Sequence, residues 1–263
     1  MQPNGIITLT TDFGKEDGYV GAVKGVLLKI NPRMEIIDIT HEISCFNILE
    51  GALVLNSFYQ FFPKGTVHLA VVDPGVGGER KGILIMTDNY FFIGPDNGIF
   101  SFIFEKEKIR GMVDLTNTKY FLQKPSSTFH ARDIFAPVSA YLSLGVELEE
   151  FGSLTKECYK LKLPQPVYKK GYLKGEIIYI DRFGNLVSNI SSDLLSEEKQ
   201  IQIKICQRKI KHLSRFYTEE KEGKPVALIG SSNLLEIAVN QGNAQRLLKA
   251  KVGDKITVEK IKR

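Results

Sequence analysis

The sequence predicts an α/β domain followed by a small all-β domain, and three observations lead there. Over the first ~160 residues, strand-like and helix-like patterns alternate, as they do where helices cover a sheet. A Pro-containing connector, Leu163-Pro164-Gln165-Pro166-Val167-Tyr168-Lys169-Lys170-Gly171, then breaks the alternation. Beyond it, short strands recur with turn residues between them and little helical periodicity, which reads as a barrel or sandwich of ~90 residues. The domains so defined are 1–163 and 171–263.

The elements follow in order. Gly5 to Thr11 reads as a strand, and Gly18 to Ile30 as a helix with Val20, Val23, Leu27 and Ile30 at helical spacing. Glu35 to Ile39 is a strand, Asn47 to Phe62 a second apolar helix, and Thr66 to Val72 a continuous apolar run. Such a run, apolar on both faces, is expected in a parallel sheet covered by helices. Gly82 to Met86 is a further strand, Gly94-Pro95-Asp96-Asn97-Gly98 a turn, and Ile134 to Leu144 an apolar helix. In the second domain the strands are Gly175 to Ile180, Ile201 to Ile205, Pro225 to Ile229 and Lys255 to Val258.

Composition narrows the class. With 263 residues, 43% hydrophobic and 25% charged, the chain is long enough for real cores and too apolar for disorder. No apolar run approaches ~18 residues, so neither a membrane span nor a signal peptide is expected. Cys45, Cys158 and Cys206 are odd in number and widely spaced, suggesting no disulfide framework and no thiolate metal site. A cytoplasmic location is the corresponding expectation. The net charge of +5 is spread among acidic residues, and its densest basic stretches lack aromatic interleaving, so no nucleic-acid partner is expected.

Four polar segments punctuate this framework. In Val71-Val72-Asp73-Pro74-Gly75-Val76-Gly77-Gly78-Glu79-Arg80, an apolar strand runs into a carboxylate, a Gly-rich turn and a guanidinium. Open α/β sheets bind ligands at such strand ends. It is not a dinucleotide loop, because Arg80 stands where the third glycine of G-x-G-x-x-G belongs; taken alone it also reads as a tight turn with a surface Arg. Thr10-Thr11-Asp12-Phe13-Gly14 ends the first strand, where Asp12 can accept from ribose hydroxyls or cap the following turn. Ser126-Ser127-Thr128-Phe129-His130-Ala131-Arg132-Asp133 leads into a helix, whose N-terminal dipole would favour a neutral His130. Asp181-Arg182-Phe183-Gly184-Asn185 offers an aromatic face and an amide suited to an adenine edge, or simply a β-turn.

Read together, T-T-D-F-G, V-V-D-P-G-V-G-x-x-R, G-P-D-N-G, S-T-F-H-x-R-D, D-x-F-G-N-L-x-x-N and L-L-E-I-A-V-N-x-G-N-A occur in this order along nearly the whole chain. The chain thereby resembles the S-adenosylmethionine (SAM) hydroxide adenosyltransferase family, SAM hydrolases related to the fluorinase and chlorinase enzymes. The resemblance implies an N-terminal Rossmann-like three-layer α/β domain and a C-terminal β-barrel. It also implies a homotrimer with SAM at subunit interfaces, SAM as substrate with no cofactor and no metal, and adenosine and L-methionine as products. By position, Asp73, Arg80 and His130 match the family's water-activating set and Asp12 its ribose carboxylate. Phe46 matches an aromatic that packs on the ligand, and Asp181 the residue holding the methionine amine. Phe183 and Asn185 match adenine contacts, Ser231 a methionine-carboxylate contact, and Asn243 and Ala244 backbone contacts to adenine.

Methionine is a good neutral leaving group from a sulfonium, so attack on the ribose 5′ carbon needs an in-line nucleophile and a base for water. Either Asp73 or His130 could hold the water proton. Two other readings stand beside this one. A 5′-halogenase would carry, by the same resemblance, Tyr at position 73 and halide-binding positions near 130, whereas a carboxylate repels halide. A SAM- or adenosine-binding sensor would use the nucleoside residues but have no use for Asp73, Arg80 and His130. Ser231-Ser232-Asn233 departs from the family in having no arginine for the methionine carboxylate.

Overall fold

A computed structural model describes residues 1–169, 171–195 and 201–260. The chain divides into two compact units, Met1–Leu161 and Lys162–Arg263.

The first unit contains β1 (Ile6–Thr11), α1 (Tyr19–Ile30), β2 (Glu35–Thr40), α2 (Ile48–Phe58), β3 (Val67–Val71), β4 (Gly82–Thr87), β5 (Phe91–Pro95), α3 (Ile103–Lys106), β6 (Ile109–Leu115), α4 (Ala136–Ser143) and β7 (Gly152–Leu154). They form a seven-stranded sheet in the order β2-β1-β3-β5-β4-β6-β7. Strands β2, β1, β3 and β5 run parallel, as the apolar runs predict. The rest of the sheet departs from that expectation: β4 is antiparallel to both β5 and β6, and β7 to β6. The reason is chain length, since three residues separate Thr87 from Phe91 and a parallel crossover needs a dozen or more.

Because strand side chains alternate, β3 feeds two cores. Leu69 and Val71 pack with Val23 and Leu27 of α1 and Val138 of α4, while Ala70 and Val72 pack with Leu55 of α2 and Ile103 of α3. Helices therefore cover both faces. Helix α2 starts where Asn47 accepts the Glu50 N–H (3.1 Å) and donates to the Glu50 carboxylate (3.0 Å), a reciprocal cap. It ends at Phe58, and Tyr59–Phe61 continues as a tighter 3-10 turn rather than as α-helix.

One buried group gives this unit a pH dependence. His68 of β3 is fully buried among Phe58, Tyr59, Phe62, Tyr90 and Phe92, and only its Nδ1 is bonded, to Thr8 Oγ1 (2.8 Å). Burial pushes its pKa down to about 3 from an ordinary 6.5. The folded pKa lies below the unfolded one, so this contribution to stability is complete above about pH 6.5 and is lost as pH falls toward 3. His68→Gln keeps a partner for Thr8 but cannot titrate. Denaturant midpoints measured between pH 7 and 4 are expected to fall less steeply in that variant than in the parent; equal slopes would contradict the burial argument.

The second unit contains β8 (Val167–Lys169), β9 (Tyr172–Ile180), β10 (Leu186–Ser191), β11 (Ile201–Ile205), β12 (Arg208–Ile210), β13 (Pro225–Ile229), β14 (Leu234–Val239), α5 (Ala244–Leu248) and β15 (Lys255–Lys260). Its described strands run antiparallel in the order β12-β11-β15-β9-β10-β14-β13, with β8 pairing β9. The sheet curls into a nearly closed barrel around Ile177, Leu186, Ile203, Leu235, Ile237 and Ile256, which resolves the choice between barrel and sandwich. Among the described residues, no helix is long and apolar enough to cross a membrane.

Candidate active site

Two carboxylates leave the same edge of the first sheet. β1 and β3 are adjacent and parallel, with Thr11 opposite Val71, so Asp12 and Asp73 both lie just past the C-terminal ends of their strands. Between strand end and Arg80 the chain makes two successive turns, with Val76 N–H donating to Asp73 C=O and Gly78 N–H to Gly75 C=O. These turns fold Arg80 back onto the carboxylate. Its Nε donates to Asp73 Oδ1 (2.9 Å) and its Nη2 to Oδ2 (2.5 Å), a bidentate pair whose side chains are 11% and 6% exposed. The guanidinium also lies over the Phe135 ring, 5.3 Å from its centre.

The third member arrives from another loop. Arg80 Nη2 lies 2.8 Å from His130 Nδ1. A guanidinium can only donate, so Nδ1 must accept, and the neutral ring carries its proton on Nε2. Burial first, and then the Arg80 charge, hold the imidazole below its ordinary pKa, against a smaller opposing pull from Asp73 and Asp133. These causes act beside the helix N-terminus that the sequence suggests. His130 precedes a π-helical turn, Ala131–Phe135, that only then becomes α4, and its side chain caps nothing.

The loop carrying His130 is anchored from behind. Asp133 is 2% exposed, accepts the Ser126 N–H (2.7 Å) and pairs with Arg132. Gly77 fixes the distance between the two loops: at φ +77° its Cα presses so closely on Ser127 that a Cβ would sit 2.0 Å from the Ser127 carbonyl oxygen.

Asp12 lines the same cavity from the end of β1. Its Oδ2 accepts the Phe46 backbone N–H (2.9 Å), leaving Oδ1 for a ligand hydroxyl. Burial, with the Asp73 charge as a smaller contributor, raises its pKa. Phe46 takes a left-handed backbone (φ 66°) to make that bond, and its ring is 70% exposed. Behind Asp12, the buried His41 bonds Thr11 Oγ1 through Nδ1 (2.8 Å) and accepts the Gly14 N–H on its carbonyl (2.7 Å).

Asp12, Phe46, Asp73 and His130 line one cavity of about 330 Å³, within the usual range for small-molecule sites. The sequence reading omits its aromatic wall, in which Phe129 packs edge to face on Phe13 and Tyr19 and those two rings are tilted to each other, with centres 5.2–6.0 Å apart. It also omits Asn97 of the G-P-D-N-G turn, whose Nδ2 donates to Val72 C=O (2.8 Å) and so steadies the residue before Asp73. Phe13, Phe129 and Asn97 stand inside quoted motifs; Tyr19, at the start of α1, carries no such signal.

The remaining expected site residues lie in the second unit. Asp181 accepts from Asn185 N–H (2.8 Å) and Asn185 Nδ2 (3.0 Å), and Gly184 (φ +87°) turns the chain so that Phe183 stands 75% exposed. Asn243 packs against Gly184 and caps α5 by accepting the Arg246 N–H (2.7 Å), while Ala244 is fully buried. Ser231 is exposed in the turn between β13 and β14.

A mixed α/β unit whose parallel strands end in two carboxylates, one of them locked to a guanidinium and an imidazole at a ligand-sized cavity, defines a protein built for acid–base chemistry on a bound small molecule. The chain belongs to the SAM hydroxide adenosyltransferase family. The family's N-terminal domain matches residues 7–152 and its C-terminal domain residues 175–257. Among similar proteins, a Methanocaldococcus jannaschii protein named (R)-S-adenosyl-L-methionine hydrolase is 39% identical, with 96% of this chain and 95% of that one covered. A fluorinase of Actinoplanes is more distant, at 28% identity over 98% of each chain. A crystal structure of an uncharacterized conserved protein from Thermotoga maritima superposes with a TM-score of 0.90 at 37% identity, covering 97% of this chain and all of that one.

Proposed function

We propose that the protein hydrolyses SAM to adenosine and L-methionine. The observation that carries this reading is the Asp73–Arg80–His130 array, in which one guanidinium holds a carboxylate and a neutral imidazole at the wall of a ligand-sized cavity. Water donates its proton to Asp73 and accepts a hydrogen bond from His130 Nε2–H. The C5′–O bond forms as the C5′–S bond breaks, the bonding pair passes to sulfur, and methionine leaves as a neutral thioether. Arg80 orients both partners and sets the His130 tautomer. SAM supplies its own leaving group, so the reaction takes no cofactor.

Asp12 Oδ1 receives a ribose hydroxyl, Phe46 and the aromatic wall pack on the ligand, and Phe183, Asn185, Asn243 and Ala244 receive adenine. Asp181 and Ser231 take the amino-acid end. All cavity residues named above belong to the first unit, and those for adenine and methionine to the second. From the family resemblance alone, the assembly is a homotrimer in the cytoplasm, in which a neighbouring copy's second unit completes each site. The helix-covered parallel strands, with carboxylates at their ends, support a Rossmann-like reading of the first unit.

Incubating the purified protein with SAM in ¹⁸O-labelled water is expected to release methionine and adenosine labelled at the 5′ oxygen. Unlabelled adenosine, or a 5′-halogenated product when chloride or fluoride is added, would overturn the reading. The pH profile has a definite sign. Catalysis needs neutral His130, whose pKa is lowered, so kcat/KM should hold as pH falls through 6.5 and drop only below it. An acid limb centred at or above pH 6.5 would contradict the lowering of the His130 pKa by burial and by Arg80.

A further inference from the structure

The first unit holds a buried imidazole that the mechanism does not use. His41 directly follows β2, is 2% exposed and does not line the cavity, yet its ring and its backbone both grip the turn that carries Asp12. Its Nδ1 lies 2.8 Å from Thr11 Oγ1, and its carbonyl accepts the Gly14 N–H (2.7 Å). Thr11 Oγ1 in turn accepts the Phe13 N–H (3.3 Å), and Thr11 C=O accepts the Ile43 N–H (3.4 Å). Thr11, Phe13 and Gly14, which surround Asp12 in the chain, are thus tied to His41 directly or through one hydroxyl.

Register explains how a residue beyond an edge strand reaches back this far. Leu9 is opposite Asp38 but Thr10 is opposite Thr40, so β2 holds one residue more than β1 at this point. Such a bulge re-aims the side chains that follow it. Asp38, at the bulge, supplies the outer end of a chain of contacts. Its Oδ1 lies 3.1 Å from His41 Nε2, off the line of a hydrogen bond, and its Oδ2 accepts Lys24 Nζ of α1 (2.5 Å). Burial raises the Asp38 pKa, but Lys24 and His41 outweigh it and hold the carboxyl below its ordinary value. An ionised carboxylate attracts an N–H, so the neutral ring carries its proton on Nε2 and offers a bare Nδ1 to the Thr11 hydroxyl. With that hydrogen directed at His41, the Thr11 oxygen keeps its lone pairs for the Phe13 N–H.

We propose that His41, with its tautomer set by Asp38, is a positioning residue that acts through Thr11 to aim Asp12 at the ribose of the substrate. This rests on the SAM-hydrolase reading, in which Asp12 Oδ1 receives a ribose hydroxyl. The Phe46 N–H holds Asp12 Oδ2, which fixes one oxygen but not the rotation of the carboxylate about it. The direction of Oδ1 is then set by where the turn holds the Asp12 backbone, and His41 is the residue that grips the turn from behind.

Calorimetric titration of adenosine and of 2′,3′-dideoxyadenosine, together with SAM kinetics, tests the proposal on the parent, His41→Leu, Thr11→Val and Thr11→Ser. The parent tests the underlying reading by itself: failure to turn over SAM, or equal affinity for the two nucleosides, would overturn that reading and the proposal with it. With both present, His41→Leu and Thr11→Val are each expected to weaken adenosine about 10-fold while the dideoxy analogue stays within about two-fold. KM for SAM should rise by a similar factor with kcat within about 3-fold, and Thr11→Ser, which keeps the hydroxyl, should match the parent. Thr11→Val decides the matter if His41→Leu fails to fold. Unchanged adenosine affinity, equal weakening of both nucleosides, or a Thr11→Ser variant as impaired as Thr11→Val would overturn the proposal and leave His41 a structural residue of the core.

Discussion

Asp73→Asn is expected to lower kcat for SAM hydrolysis about 100-fold or more, while adenosine and SAM still bind within about 3-fold of the parent, as read by calorimetry. Asparagine matches the carboxylate in shape, so the turn from Asp73 to Arg80 should persist. Two things are lost. The amide cannot take a proton from water, and its NH₂ would face a guanidinium N–H where a carboxylate oxygen now accepts. His130 cannot substitute, because protonating it would put an N–H on Nδ1, directly against Arg80 Nη2. Turnover within ten-fold of the parent would move the base elsewhere and end the assignment.

Gly77→Ala is expected to lower kcat at least about 10-fold and to reduce the thermal midpoint by several degrees, although Gly77 touches no reacting group. A left-handed backbone costs a non-glycine residue about 1 kcal/mol or more. The larger effect is steric. A Cβ 2.0 Å from the Ser127 carbonyl oxygen must push apart the loops bearing Arg80 and His130, and their 2.8 Å hydrogen bond has little slack. Kinetics together with melting curves check it; activity within two-fold of the parent would show that the loop contact does not set the geometry.

Much of this site is legible in the sequence because its polar residues interrupt patterns that would otherwise be uniform. Asp12 and Asp73 stand out where apolar runs end, and adjacent parallel strands then bring those ends together. Arg80 announces itself by occupying a glycine position. The all-β character of the second domain follows from short strands with turn residues between them, whereas barrel and sandwich read alike at that level.

Other features leave no such mark. The antiparallel direction of β4 follows only once Phe91–Pro95 is recognised as a strand, since the three-residue link then forces a hairpin. The lowered pKa of His130 depends first on burial and then on a residue fifty positions away, neither of which local dipole reasoning reaches. Phe46 adopts a positive φ that an aromatic residue rarely takes, stabilised by a bond to Asp12 across 34 positions. Glu236 hides in L-L-E-I-A-V, where alternation marks it as an outward strand residue and nothing local reveals its burial.

The π-helical turn after His130 carries a further meaning. It holds one residue more than an α-helical turn over the same path, and each residue of an α-helix rotates the side-chain direction by about 100°. The same letters on a regular helix would swing the imidazole away from Arg80, with Asp73, Arg80 and His130 all still present. In this chain, then, the length of the segment between Ser126 and Ala136 is as much a part of the candidate site as its composition. A relative that keeps S-T-F-H-x-R-D but loses one residue downstream would match the motif and lack the machine.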